Sequence, residues 1–217
     1  MLDSQQRQLL IVGGACGVAS FMFYVLLITL SLSDTPSQYE LSRTFLLAAT
    51  FPVLGIIFSY ALYSLIALEC QGAANRLAFL FSVTALTIVA MMLAMQLGVR
   101  FGAKSYLAGI AQQGSFIRAL RTLDMSLDVV FDVFLGWAMI IIAAPMYRHR
   151  RLGALWAVPS FVLGLLLIAL NVATFPFPPA TKGLFDIGPA IGIYNLLLSV
   201  RVMMVGLKKK SATASET

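Results

Sequence analysis

The sequence predicts an all-α fold, a polytopic transmembrane bundle of about six helices, and three observations carry that expectation. Of its 217 residues, 60% are hydrophobic and only 11% charged, whereas soluble domains carry roughly 25% charged residues. The apolar residues fall in unbroken runs of roughly 20, the length a helix needs to cross a hydrocarbon layer about 30 Å thick. The runs do not alternate polar and apolar residues as barrel strands do. A lipid-exposed chain must satisfy its backbone internally, so continuous runs of this length read as helices.

The first predicted span is Leu9–Leu32, read as a retained helix because its apolar run is too long for an ordinary signal-peptide core. The cluster Ser33-Asp34-Thr35-Pro36-Ser37 supplies the turn to a second span, Phe45–Leu68. Glu69, Gln71, Asn75 and Arg76 form a short polar turn before the third, Leu77–Leu97. The longest connection, Gly98 to Asp124, leads to the fourth span, Met125–Tyr147. Arg148-His149-Arg150-Arg151 is a tight basic turn, so the fifth span, Leu152–Thr174, should lie antiparallel beside the fourth. Phe175-Pro176-Phe177-Pro178-Pro179 ends that helix, since proline lacks the N–H donor. The sixth span is Ile187–Leu207, and the remainder, 208–217, is expected to be a disordered basic tail that meets anionic lipid. One membrane domain is expected.

An even number of spans puts both termini on one side. That side would hold Arg7, Arg76, Arg148, Arg150, Arg151 and Lys208–Lys210, against Arg43, Arg100, Lys104, Arg118, Arg121 and Lys182 on the other. The positive-inside rule then places both termini in the cytoplasm. The net charge of +6 is mostly a topology signal. No nucleic-acid role is needed, because the basic residues lack interleaved aromatics. Cys16 and Cys70 would both sit toward the inner side, where thiols stay reduced.

Several chemistries lack their residues. The only histidine is His149, in a basic turn, so paired haem ligands, a structural zinc site and a His-Glu-x-x-His protease helix have no donors. Every lysine lies in a loop or tail, which leaves no Schiff base for retinal. No phosphate-binding loop or nucleophile elbow occurs. No cofactor and no catalytic residue are expected.

Polar chemistry is concentrated in one run. Arg118, Arg121, Asp124, Asp128 and Asp132 recur at intervals of three and four, which puts them on one stripe of a continuous helix. Asp128 enters the fourth span by about one turn and Asp132 by about two. Ionisable groups inside a span cost several kcal/mol on insertion scales and need a partner or a purpose. Gln96 and Arg100, Asn171, Asp186, Tyr194 and Asn195 lie at depths that could bring them alongside. The candidate polar pocket is therefore Asp128, Asp132, Asn171, Asn195, Arg100 and Arg121. It admits two readings. The carboxylates bind a cation or relay a proton in a transporter, or they are packing anchors satisfied by Arg100, Arg118, Arg121 or Asn195. Arg201 enters the sixth span from the inner side, and pairing with Asp132 would require a tilt or a long reach. Tyr60, Tyr63, Ser64 and Glu69 divide in the same way between an inner vestibule and interfacial anchors.

Gly13 and Gly17, and Gly188 and Gly192, are spaced by four and permit close helix approach. Pro52 and Pro145 are candidate kinks.

The stretch Leu123–Lys210 resembles a family of uncharacterised bacterial multi-span membrane proteins. The residues that carry the likeness are an acidic fourth span ending in Gly136-Trp137, the turn leading to Arg151-Leu152-Gly153, and Gly183-Leu184-Phe185-Asp186-Ile187-Gly188-Pro189. The resemblance implies a six-span bacterial inner-membrane protein of unassigned activity and brings no site residues with it. Two functions are expected as alternatives: binding or transport of a small solute or lipid through a polar pocket, or a structural or accessory role in a larger membrane complex. Membrane lipid is the expected partner in both, with a second copy or a partner membrane protein compatible with either.

Overall fold

Six helices, each long and apolar enough to cross a membrane, make up the described residues. The computed structural model describes residues 2–30, 37–99 and 113–208. Arg100 and Lys104, most of the Ser33–Ser37 turn cluster and the tail beyond Lys208 lie outside them. In chain order the helices are α1 Ser4–Thr29, α2 Gln38–Ala67, α3 Ala73–Leu97, α4 Gln113–Arg148, α5 Ala154–Thr174 and α6 Gly188–Leu207. The chain is a multi-pass membrane protein.

The first two helices begin ahead of their apolar runs because polar residues cap them. Asp3 accepts from the Gln6 N–H at 2.7 Å while the Gln6 side chain accepts from the Asp3 N–H, so α1 starts five residues before Leu9. Ser37 and Glu40 make the same reciprocal box at α2, ahead of Phe45. The segment before the fourth span is continuous with it. As one helix of 36 residues, α4 is about 54 Å long, so its first turns stand beyond a hydrocarbon layer of roughly 30 Å.

The helices form a ring of neighbours in the order α6, α1, α2, α3, α4, α5, and only the closing side, α5 against α6, is sparsely packed. Two seams bring backbones together. A Cβ built on Gly136 of α4 would lie 2.9 Å from the Gly164 carbonyl of α5, and one on Gly164 would lie 2.7 Å from the Gly136 carbonyl. One turn further in, the Ser160 hydroxyl donates to the Met139 carbonyl at 2.8 Å. Along α1, Gly13 faces Ala61 of α2, Gly14 faces the α6 backbone at Ser199 and Met203, and Gly17 meets Ser199 of α6 and the Phe58 ring of α2. Of the two expected glycine pairs, the α1 pair therefore packs on neighbouring helices. In the α6 pair, Gly192 meets the Phe21 ring, whereas Gly188 has only Asp186 beside it.

The start of α1 and the end of α6 lie at one end of the ring, as the Arg7 side chain donates to the Gly206 carbonyl at 3.2 Å. The α2–α3 and α4–α5 connections share this end, and His149 ties them. Its ring is 1% exposed. The Arg151 N–H donates to Nδ1 at 3.3 Å, so Nδ1 is unprotonated and Nε2 carries the hydrogen that reaches the Leu65 carbonyl at 3.1 Å. The Glu69 carboxylate lies 3.8 Å from the same nitrogen and accepts from the Arg150 N–H at 2.9 Å. The Arg201 guanidinium grips the Arg151 carbonyl through two N–H groups, adding α6 to the knot. Arg201 is thereby committed at this end rather than to Asp132. Above the knot an apolar core of Leu10, Phe58, Leu62, Leu65, Met139, Met146, Leu167, Leu198 and Val202 fills the middle of the ring.

Candidate functional site

Asp124, Asp128 and Asp132 point from α4 at the end opposite the termini. From Arg148 to Asp132 the helix rises about 24 Å, which puts Asp132 roughly 6 Å inside a 30 Å layer. Asp128 is then at its boundary and Asp124 beyond it. Asp132 and Asp128 are half-buried.

Each neighbouring element brings a group to the stripe. From α5, Asn171 is 1% exposed and its Nδ2 donates to Asp132 Oδ2 at 3.0 Å and to the Leu167 carbonyl at 2.9 Å. Two acceptors on one nitrogen settle which way the amide faces. Its carbonyl oxygen, Oδ1, is buried with no hydrogen-bond partner among the described residues. From α3, the Gln96 side-chain amide donates to Asp124 Oδ2 at 3.3 Å, while Asp124 Oδ1 is buried and unpartnered in the same sense. From α1, Tyr24 packs its ring against Phe51, with centroids 5.4 Å apart, within electrostatic reach of Asp128, Asp132 and Asp186. Asp186, just ahead of α6, accepts from the Gly188 N–H at 2.8 Å, and its charge reaches Asp128 and Asp132. The segment after α5 folds over α4, where the Ser126 hydroxyl meets the Pro176 carbonyl at 3.5 Å.

The structure sorts the residues expected here. Asp132 and Asn171 are hydrogen-bonded, and Asp128 lies one turn along the same helix from Asp132. Asn195 is half-buried further along α6, and its backbone carbonyl accepts from the Ser199 hydroxyl. No hydrogen bond joins Asn195 to the stripe among the described residues. Arg121 is exposed, and Arg118 donates to Ser115 of its own helix at 3.2 Å. Arg100 lies outside the described residues. Lys182 sits 4.8 Å over the Phe177 ring. Among the described residues the ion pair found is His149 with Glu69, at the other end of the ring. The counter-charges that would make the stripe an anchor are thus engaged elsewhere, exposed or undescribed.

Tyr24 escaped the sequence reading. Its signal was depth, because it lies five residues from the end of α1 and so level with the acidic turn of α4. Of the residues divided between an inner vestibule and interfacial anchors, Tyr60 and Tyr63 stack at 6.3 Å and both rings meet Phe79 of α3, while Glu69 belongs to the His149 knot. A cleft of about 540 Å³ lined by Gln71, Gly72, Ala73, Arg76 and Leu77 opens at the terminal end and shares no residue with the stripe.

Chemically the acidic turn is a set of acceptors. Both Asn171 amide hydrogens are used and Gln96 gives one of its two to Asp124, and the two buried oxygens left over both require a donor or a positive charge. Among the described residues no group of three or more histidine, cysteine or acidic side chains could hold a metal ion, and the three carboxylates follow one another at one-turn intervals along α4. No protein-family model, curated protein or solved structure matches the chain.

Proposed function

We propose that this protein binds a small solute in the polar turn between α1, α4, α5 and the start of α6, and carries it across the membrane. The observation that supports this reading is the pair Asp132–Asn171, an acidic group roughly one turn inside the layer held by a buried amide whose own oxygen lacks a donor. A packing anchor satisfies its polar atoms, whereas a binding site keeps some for its ligand. An apolar core lies between the acidic turn and the opposite end, which supports a carrier closed on that side, as alternating access requires. The Lys and Arg distribution supports placing both termini in the cytoplasm, with the acidic turn facing outward. The likeness of Leu123–Lys210 to bacterial inner-membrane proteins supports a bacterial cell membrane as the location.

A ligand that binds only the folded protein stabilises it by about 2.7 kcal/mol at a hundred times its Kd. A thermal-shift screen of small amines, amino acids and sugars on the detergent-solubilised protein should therefore return at least one class that raises Tm in the parent and not in Asp132→Ala. Uptake of that class into proteoliposomes should fall at least tenfold in the same variant. A screen that returns no ligand, together with stoichiometric co-purification of a partner membrane protein in mild detergent, would replace the carrier with an accessory subunit.

A further inference from the structure

We infer that Asp132 and Asn171 form a proton-holding pair, with the acid O–H of Asp132 donated to the unpartnered Oδ1 of Asn171, and that the proton is the ion to which solute movement is coupled. The coupling part rests on the carrier reading above; the proton on Asp132 does not.

The orphan oxygen of Asn171 needs a donor. Asn171 is all but fully buried, and its Nδ2 hydrogens are both used, one of them on Asp132 Oδ2. A carboxylate can offer Oδ1 nothing, because an ionised acid only accepts. A carboxylic acid can. With a proton on Asp132 Oδ1, the acid and the amide face each other as two matched donor–acceptor pairs, N–H to Oδ2 and O–H to the amide oxygen. One bond forms, Asp132 O–H, at the expense of a hydronium O–H, and the carboxyl goes from −1 to neutral. That removes the uncompensated charge from the layer and satisfies the buried acceptor in the same step.

The surroundings favour a proton over a metal cation. The groups around Asp132 are Asp128 on α4, Tyr24 on α1, Asn171 on α5 and Asp186 ahead of α6, with Asp124 and its Gln96 partner from α3 two turns further along. All the charged ones are acidic, so they draw cations inward, yet no metal-binding group is assembled among the described residues. The carboxyl groups of Asp124, Asp128 and Asp132 are one turn apart, about 6 Å of rise each. A proton can pass over such a gap through a bridging water, whereas a metal ion would hold one carboxylate at a time.

Infrared difference spectroscopy of the protein in lipid nanodiscs, stepped from acidic to alkaline pH, tests the pair. A protonated-carboxyl band should be present at neutral pH, vanish in Asp132→Asn, and move toward the frequency of an unbonded acid in Asn171→Leu. Aspartate labelled with carbon-13 identifies the band in the unmodified protein, so the result does not depend on either variant folding. Absence of any protonated aspartate at neutral pH overturns the inference. So does a band unmoved by Asn171→Leu, or a carboxylate signal that responds to sodium instead of pH. A positive band alongside a failed solute screen would leave the pair standing and remove the carrier.

Discussion

Replacing Gly164 by leucine should cost about 3 kcal/mol, at the upper end of the usual range for overpacking. The reason is that the obstacle is backbone. A Cβ at residue 164 lies 2.7 Å from the Gly136 carbonyl and 2.9 Å from the Met139 Cβ, and no rotamer relieves either contact. The helices must separate, and separation also stretches the Ser160 hydroxyl from the Met139 carbonyl. In lipid no hydrophobic term opposes that separation, because tails solvate an exposed helix face as well as another helix does. Gly164→Ala should cost less, since only the Cβ is added. Gly136→Ala and Gly164→Ala combined should fall short of the sum of the singles, because the first separates the backbones that the second needs apart. Unfolding followed by circular dichroism in mixed detergent micelles measures all four. The same seam aligns Asn171 with Asp132, so loss of solute binding should accompany loss of stability in Gly164→Leu.

His149→Ala should be comparably damaging, by roughly 3 kcal/mol, through the cavity left at a fully buried site and the loss of bonds to the Leu65 carbonyl and the Arg151 N–H. The parent should also lose stability in acid. Burial pushes the His149 imidazole below its ordinary value, the Arg151 charge pushes the same way, and Glu69 and the Leu65 carbonyl oppose them. The folded state therefore favours the neutral ring, and its unprotonated Nδ1 is the acceptor that holds the Arg151 N–H. The unfolded chain binds the proton more readily, so this contribution is complete above about pH 6.5 and declines as the pH falls below it. His149→Ala should lose that slope along with its stability. Equilibrium unfolding of parent and variant across that interval separates the two effects.

Much of this architecture was legible in the sequence, and the reasons differ from one element to another. Span positions followed from apolar runs, because lipid demands them one helix at a time. Helix starts did not, since Asp3 and Ser37 act through capping bonds that hydropathy ignores. Asp128 and Asp132 were legible as a stripe because helical spacing is local, and Asn171 because depth can be counted from the nearest turn. Tyr24 was not, since an aromatic in a span also reads as a lipid-facing side chain. The Gly136–Gly164 crossing was invisible for a different reason: each glycine stands alone on its helix, and only the tertiary fold pairs them. His149 reads as one more member of a basic turn until α2 is packed against it.

The central claim is that the acidic turn is kept for a ligand and not for the fold. Thermal melting of the parent and Asp132→Asn, at acidic and neutral pH, tests it most directly. An amide can reproduce the neutral pairing with Asn171, and residues retained for function are often held at some expense of stability. The account predicts an Asn variant at least as stable as the parent at neutral pH. A variant that melts markedly earlier at neutral pH and recovers the difference in acid would contradict it. That result would make Asp132 one half of a structural ion pair, whose breaking costs about 3–5 kcal/mol when it is buried.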